Sequence, residues 1–251
     1  MKATLYAVPG SHPSQAVELM LRHKSAAVRR VDLVPVQHRA VVRALGFPRA
    51  TVPAVRADGI RLQGSRTISR ALDALQPEPR LFPRERALRA AVESAEAWGD
   101  EVLQPVARRL AWAALRRDRA AVGAFLERGR IGVPRPLARR LARPIVAAGA
   151  WLNGAGDASA PADLAALPGL LGRVDALVGA GVLGASERNA ADFQIAASLR
   201  LLMAFEDLRP ALDDRPAGRL ALEVAPDVGA RLPPLFPADW LAPLEAVRAA
   251  A

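Results

Sequence analysis

The first third of the chain carries short apolar runs separated by turn residues, and the remainder carries apolar positions at helical spacing. Residues 3 to 8 form an apolar run that breaks at Pro9-Gly10. Pro13 then suits a first helical turn, where its missing N–H costs nothing, and Ala16, Val17, Met20 and Leu21 recur on one face of a helix over about 13 to 24. Val28 to Val34 alternates apolar with polar and predicts a second strand. His38 to Leu45 predicts a short helix with Ala40, Val41, Ala44 and Leu45 inward, ended by Gly46. Asp58-Gly59 stands between two short apolar runs, a strong two-residue hairpin signal. Ser65 then serves as N-cap of a helix with Ile68, Ala71, Leu72 and Leu75 on one face. The order over residues 1–76 is β-α-β-α-β-β-α, an α/β unit with a small mixed sheet. A dinucleotide-binding unit would need Gly-x-Gly-x-x-Gly after the first strand, and here only Gly10 is present.

Residues 77–84 predict a linker, with Pro77, Pro79 and Pro83 close together. Residues 85–251 predict an all-helical region. Glu85 to Arg117 is one long helix or two, broken or kinked at Pro105. Further helices are expected over Arg119 to Glu127, Pro136 to Leu152, Leu164 to Val178, Ala190 to Glu206, Pro216 to Val228 and Ala238 to Arg248. The Ala190 to Glu206 helix is apolar on nearly every side, the pattern of a buried helix.

Composition narrows the chemistry. None of the 251 residues is a cysteine, which excludes disulfides, thiolate metal sites and catalytic thiols. The formal net charge of +10 raises nucleic acid as a partner. Lys2 and Lys24 are the only lysines, the arginines are spread along the helices and aromatics are scarce. No stacking platform is evident, and the expectation is a solvated basic surface without nucleic acid. The N-terminus lacks the apolar region of a signal peptide. The longest central uncharged run, Pro144 to Gly156, is too short to span a bilayer, so a cytoplasmic protein without a membrane partner is expected.

Candidate chemistry concentrates at the first strand-to-helix junction. Ser11-His12-Pro13-Ser14 stands at a helix start, where free backbone N–H groups and the positive end of the helix dipole favour an anion such as a carboxylate, phosphate or thiolate. Val52-Pro53 lies between two turns at the start of a strand, where a cis bond would turn the Val52 backbone outward toward an extended ligand.

Together, the strand–Ser–helix junction, Thr51-Val52-Pro53, the Asp58-Gly59 hairpin, Gly64-Ser65 at a helix start and the helical second half resemble the glutathione S-transferase family over the whole chain. The resemblance implies a thioredoxin-like N-terminal domain, a linker and an all-α C-terminal domain. It implies glutathione as co-substrate, no metal, a small-molecule electrophile as partner, a homodimer and a detoxification role. It places Ser11 at the glutathione sulfur, with Ser14 as the fallback at the last position of the same turn. It assigns His12, Thr51, Val52, Pro53, Gly64 and Ser65 to glutathione binding, Val52 through its backbone and Ser65 at the γ-glutamyl carboxylate. In the helical region it implies a capped buried helix, with Asn189 capping and Asp192 reaching back.

The chain departs from the family pattern at two positions. Gly64 stands where an acidic residue is expected, with Gln63 and Arg66 nearest to replace it, and Thr51 stands where a lysine or similar polar residue is common. With no cysteine in the chain, the reactive sulfur has to come from the ligand, whether glutathione or another thiol. A serine hydroxyl would donate a hydrogen bond to that sulfur and favour the thiolate, the nucleophilic form. The plainer reading of Ser11 is an N-cap. His12 as a general base finds no Ser-His-Asp arrangement to join, and His23 and His38 read as surface residues. Trp98, Trp112, Trp151 and Trp240 read as core or interface residues, with Trp98 and Trp112 on helices that flank the cleft. Arg108-Arg109, Arg116-Arg117 and Arg139-Arg140 read as solvated. The rival to a transferase is a non-catalytic protein that keeps this fold with a degenerate glutathione site, and Gly64 is the feature that favours it.

Overall fold

The computed structural model describes residues 1–118, 121, 123, 125, 135–227 and 230–249. The helix expected over Arg119 to Glu127 lies largely outside these residues, as does the side chain of Arg139.

The N-terminal unit follows the expected order. Strand β1 (Lys2–Ala7) leads to α1 (His12–His23), β2 (Ala27–Asp32), α2 (His38–Ala44), the hairpin β3 (Ala54–Ala57) and β4 (Ile60–Gln63), and α3 (Ser65–Leu75). The sheet has the order β2-β1-β3-β4, with β1 parallel to β2 and antiparallel to β3. One face is covered by α1 and α3. Ala16, Val17, Met20 and Leu21 on α1 are completely buried, as their spacing predicts, and full burial of a Leu- or Met-sized side chain contributes about 1.5–3 kcal/mol.

Helix α2 differs from its expected face. Val42 is its one buried residue, packed with Phe47 and Ala54, while Ala40, Val41 and Ala44 are exposed and Leu45 is half-buried. A helix of seven residues covers so small a patch that one side chain fills it, and periodicity over two turns cannot say which. In α3, Gly64 rather than Ser65 is the N-cap residue, at φ 89°, and Leu75 is exposed.

The helical remainder begins with α4 (Arg86–Trp98), which passes through one π-helical turn, Gly99–Leu103, into α5 (Gln104–Arg117). The irregularity expected at Pro105 is thus a π turn just before it, and Pro105 sits in the first turn of α5, where its lost N–H is harmless. Then follow α6 (Arg135–Leu152), α7 (Ala160–Gly179), α8 (Ala190–Leu202), α9 (Pro216–Val224) and α10 (Ala238–Ala249). Helix α8 is the central post. Every residue from Ala190 to Leu202 except Arg200 is buried, and α1, α4, α5 and α9 all pack on it. Its start carries the expected capping box. The Asn189 side chain accepts from Ala191 and Asp192 N–H, and Asp192 accepts from Asn189 N–H at 2.8 Å. The second Asp192 oxygen accepts from Gly184 N–H at 2.8 Å.

Lys24 is completely buried and clamps the segment after α3. Its ammonium reaches Asp73 Oδ1 at 2.7 Å and the carbonyls of Gln76 and Pro79. This saturated cation fixes the segment after α3 to the end of α1.

Candidate functional site

Two cavities adjoin where α1 and the β3 approach face the helical remainder, and Pro13 and Val52 line both. The first is an apolar cleft of about 450 Å³ between the two units. Its N-terminal wall holds Ser11, His12, Thr51 and Val52. Its other wall is α5 and α6, with Ala111, Trp112, Leu115 and Ile145. The Trp112 indole packs closely against Gly149 of α6. A Cβ there would stand 2.6 Å from the indole ring, so only glycine permits this wall.

Ser11 is the N-cap of α1, which confirms the plainer reading. Its Oγ accepts from Ser14 N–H at 3.4 Å and lies 2.9 Å from Ser14 Oγ. Ser14 is completely buried. A hydroxyl has two acceptor sites and one hydrogen. If Ser14 O–H donates to Ser11, both Ser11 lone pairs are filled and its own hydrogen is left for the cleft. Capping and donation to a ligand are therefore compatible.

His12 is 3% exposed, and among the described residues its Nε2 has no hydrogen-bond partner. Burial, then the nearby Arg108 guanidinium, push its imidazole well below the ordinary histidine value, against a hydrogen bond to the Gln104 backbone. At neutral pH the ring is an uncharged acceptor. His38 lines the same cleft, and burial with help from Arg39 lowers it to about 4. His23 is half-buried beside Phe193, with ring centroids 5.3 Å apart. Neither His23 nor His38 is the surface residue its helix pattern predicts, because both face the second unit.

Val52-Pro53 is a cis peptide. Pro53 C=O accepts from Gly64 N–H at 3.1 Å, which ties the two loops together. Gln63 is buried and spent on the same loop. Its side chain accepts from Arg49 N–H at 2.8 Å and donates to the Arg49 and Thr51 carbonyls at 2.7 and 2.6 Å. Arg66 pairs with Glu101 at 2.6 Å. Neither replaces the missing acid.

The second cavity, also about 450 Å³, is polar and lies over the start of α3. Arg49, Pro53, Gly64, Ser65, Arg70, Asp100 and Gln104 border it. Gly64 offers no cap side chain to the first N–H groups of α3. A Cβ on Gly64 would meet only the Arg49 guanidinium, at 3.7 Å. An acidic side chain from elsewhere in the chain borders the cavity. Asp100, on the π turn, accepts at Oδ1 from Gln104 Nε2 at 2.6 Å and from Ser65 Oγ and Gln194 Nε2 at 3.4 Å each. Behind this cavity the buried Glu96 carboxylate takes Ser69 at 2.6 Å and Arg70 at 2.5 Å, and burial pushes its carboxyl up.

All eight residues singled out in the sequence line one or both cavities or, in the case of Ser14, stand directly behind one. Asp100, Gln104 and Arg49 were not singled out, and Arg108 was expected only as a solvated surface residue. Asp100, Gln104 and Arg108 stand at i, i+4 and i+8, a polar ridge on a helix otherwise apolar at Leu103, Val106, Ala107 and Leu110. That spacing was the available signal. Arg108 and Arg109 are not solvated as expected: Arg108 lines the cleft, and Arg109 holds Asp163 with two bonds at 2.8 and 2.6 Å. Trp151 is 81% exposed, against a core expectation, because it lies on the outer side of α6.

Among the described residues no helix is long and apolar enough to cross a membrane. A sequence comparison with curated proteins finds no match. The profile of the glutathione S-transferase N-terminal domain matches residues 5–80. Among solved structures, a glutathione S-transferase from Rhodospirillum rubrum is 21% identical, with TM-score 0.52 over 96% of this chain and 99% of that one. One from Methylobacterium radiotolerans, in complex with glutathione sulfonate, is 16% identical, with TM-score 0.52 over 94% and 99%. Poplar glutathione transferase F1 is 14% identical, with TM-score 0.58 over the full length of both. Residues 5–80 thus match the glutathione S-transferase N-terminal domain, and the chain as a whole shares the fold of these glutathione transferases.

Proposed function

We propose that the chain binds glutathione and conjugates it to an apolar electrophile held in the cleft. The observation that carries this reading is the junction of the two cavities along Pro13 and Val52, with the Ser11 hydroxyl beside it. The polar cavity fits a zwitterionic amino-acid end. Arg49, Ser65 and the open N–H groups of α3 suit its carboxylate, and Asp100 suits its ammonium. Asp100 thus supplies from the helical unit the charge that Gly64 lacks. The Val52 backbone and Thr51 border the middle of the ligand.

Glutathione, when bound, supplies the thiol whose deprotonated sulfur attacks the electrophile. Ser11 donates its hydroxyl hydrogen toward that sulfur, and the positive end of α1 adds to the stabilisation of negative charge. Ser14 holds Ser11 in place. His12, neutral, offers an acceptor on the same wall. Trp112, Leu115 and Ile145 exclude water from the reacting end. This chemistry belongs in the cytoplasm, where the glutathione pool is kept reduced.

The test is calorimetric titration of glutathione, followed by conjugation to an aryl halide. Wild type binds at millimolar concentration or tighter. Asp100→Asn weakens binding about tenfold, the scale of one charge-assisted contact. Ser11→Ala lowers turnover about 10- to 100-fold and raises the pKa of the bound thiol. Absence of binding at millimolar glutathione rejects the reading. Unchanged turnover in Ser11→Ala with loss in Ser14→Ala transfers the role to Ser14. Binding without turnover favours the rival, a non-catalytic binding protein, for which the capping duty of Ser11 is the supporting observation.

A further inference from the structure

Among the described residues, the cleft holds a cation without a counter-ion. Arg108 projects from α5 on the face that carries Ala111, Trp112 and Leu115, and with them it lines the 450 Å³ cavity. Among the described residues, its one hydrogen-bond partner is neutral, the Gln104 side-chain carbonyl, and none of their carboxylates lies within ion-pair distance of it. The neighbouring Arg109 is spent on Asp163. No aspartate or glutamate lines the cleft among the described residues, and the other charged or titratable groups there are Arg39 and the two histidines, His12 and His38. Asp100 acts on Arg108 only at longer range and burial opposes its charge, so the guanidinium stands in a setting that does not neutralise it. A partly desolvated cation on an apolar wall is costly unless something brings a negative charge to it.

We propose that Arg108 makes the cleft selective for flat aromatic electrophiles that carry a carboxylate. The ring lies against Trp112, Leu115 and Ile145, and the carboxylate takes the planar guanidinium in the two-bond geometry that arginine favours. His12 cannot compete for the anion, because its free Nε2 is an acceptor and would repel a carboxylate oxygen. The word electrophile rests on the transferase reading above; the preference for an aromatic acid does not.

The experiment compares ligands that differ only in the carboxylate. Binding of dinitrobenzoate and of dinitrobenzene, neither of which reacts with thiols, is followed by quenching of tryptophan fluorescence, with Trp112 in the cleft wall. Wild type binds the acid about tenfold tighter or better. Arg108→Met binds the two equally, and Arg108→Lys keeps part of the preference, since lysine retains the charge without the planar fork. With the chloro-substituted pair and glutathione, the ratio of kcat/KM values follows the same order. Equal binding of the two ligands to wild type overturns the proposal without any variant. A preference that survives Arg108→Met overturns it as well, and points to Arg39. A preference that is unchanged while the pKa of bound glutathione rises in Arg108→Met also overturns it, because the guanidinium then serves the thiolate. If wild type prefers the acid but does not bind glutathione, the proposal stands and the transferase reading fails.

Discussion

Helices α8 and α3 both begin with backbone N–H groups that no preceding turn can satisfy, and the two starts are finished differently. At α8 the side chains of Asn189 and Asp192 take those groups one by one, and Asp192 also takes Gly184 N–H from the loop before. The start is buried and no polar capacity faces outward. At α3 the cap position is Gly64, with no side chain to offer, and the open N–H groups border a polar cavity with Arg49 on one side and Asp100 on the other. The start of α1 lies between these cases: Ser11 caps it and can still donate into the cleft. The same backbone chemistry is structural where the cap saturates it and available to a ligand where the cap is missing or shared.

Changes at the closed start should therefore act on stability, and changes at the open starts on binding. The largest effect is expected from Asp192→Ala, which strands the buried N–H of Asn189 and leaves that of the exposed Gly184 to water. At about 1–3 kcal/mol for the one buried group left unsatisfied, the loss is about 2 kcal/mol. It should appear as a lower denaturant midpoint, with glutathione affinity of the folded protein within about twofold of wild type. A comparable loss of affinity at full stability would erase the distinction.

A pH titration probes the start of α1 and its surroundings. His12 and His38 are held below 6.5 in the folded protein, His38 at about 4. The unfolded chain binds these protons first, so the stability associated with neutral imidazoles is complete above pH 6.5 and is lost as the pH falls through that value. The slope is at most about 1.4 kcal/mol per pH unit for each histidine. Denaturant midpoints measured from pH 7.5 down to about 5 should fall, and the fall should be shallower in His38→Gln. A flat profile would show that neither ring is withheld from protons.

The smallest effect on stability is expected at the open start. Gly64→Ala meets no steric obstacle, since its Cβ has only Arg49 nearby, but at φ 89° it carries a backbone strain of about 1 kcal/mol. Glutathione binding should weaken more than the thermal midpoint suggests, because the strain is relieved by moving the N–H groups that face the ligand. Parallel, small losses in both would make Gly64 an ordinary turn glycine.

Much of this was legible in the chain itself. The order of strands and helices, the Asp58-Gly59 hairpin, the buried face of α1 and the capping box at Asn189 all rest on local rules that hold wherever the segment lies. The inward face of α2 was not, because one side chain fills its contact patch. The irregularity around Pro105 was readable as a break but not as a π turn, since the proline tolerates both. The burial of His38 and the exposure of Trp151 depend on which side of a helix meets the other unit, and periodicity alone does not identify the partner.

The candidate site divides along the same line. By itself the sequence determined that Ser11, Val52, Pro53 and Ser65 sit at turns and helix starts where backbone groups are free. It also determined that, without cysteine, any reactive sulfur arrives with the ligand. Only the tertiary structure decided that Asp100 stands over Ser65, that Gln63 is consumed by the Arg49–Thr51 loop, and that Arg108 faces an apolar cleft with no acidic side chain among the described residues that line it. Helix caps and turns are set by residues a few positions apart. Charge complementarity at a cavity is set by residues far apart in the chain, and packing on α8 is what brings them together.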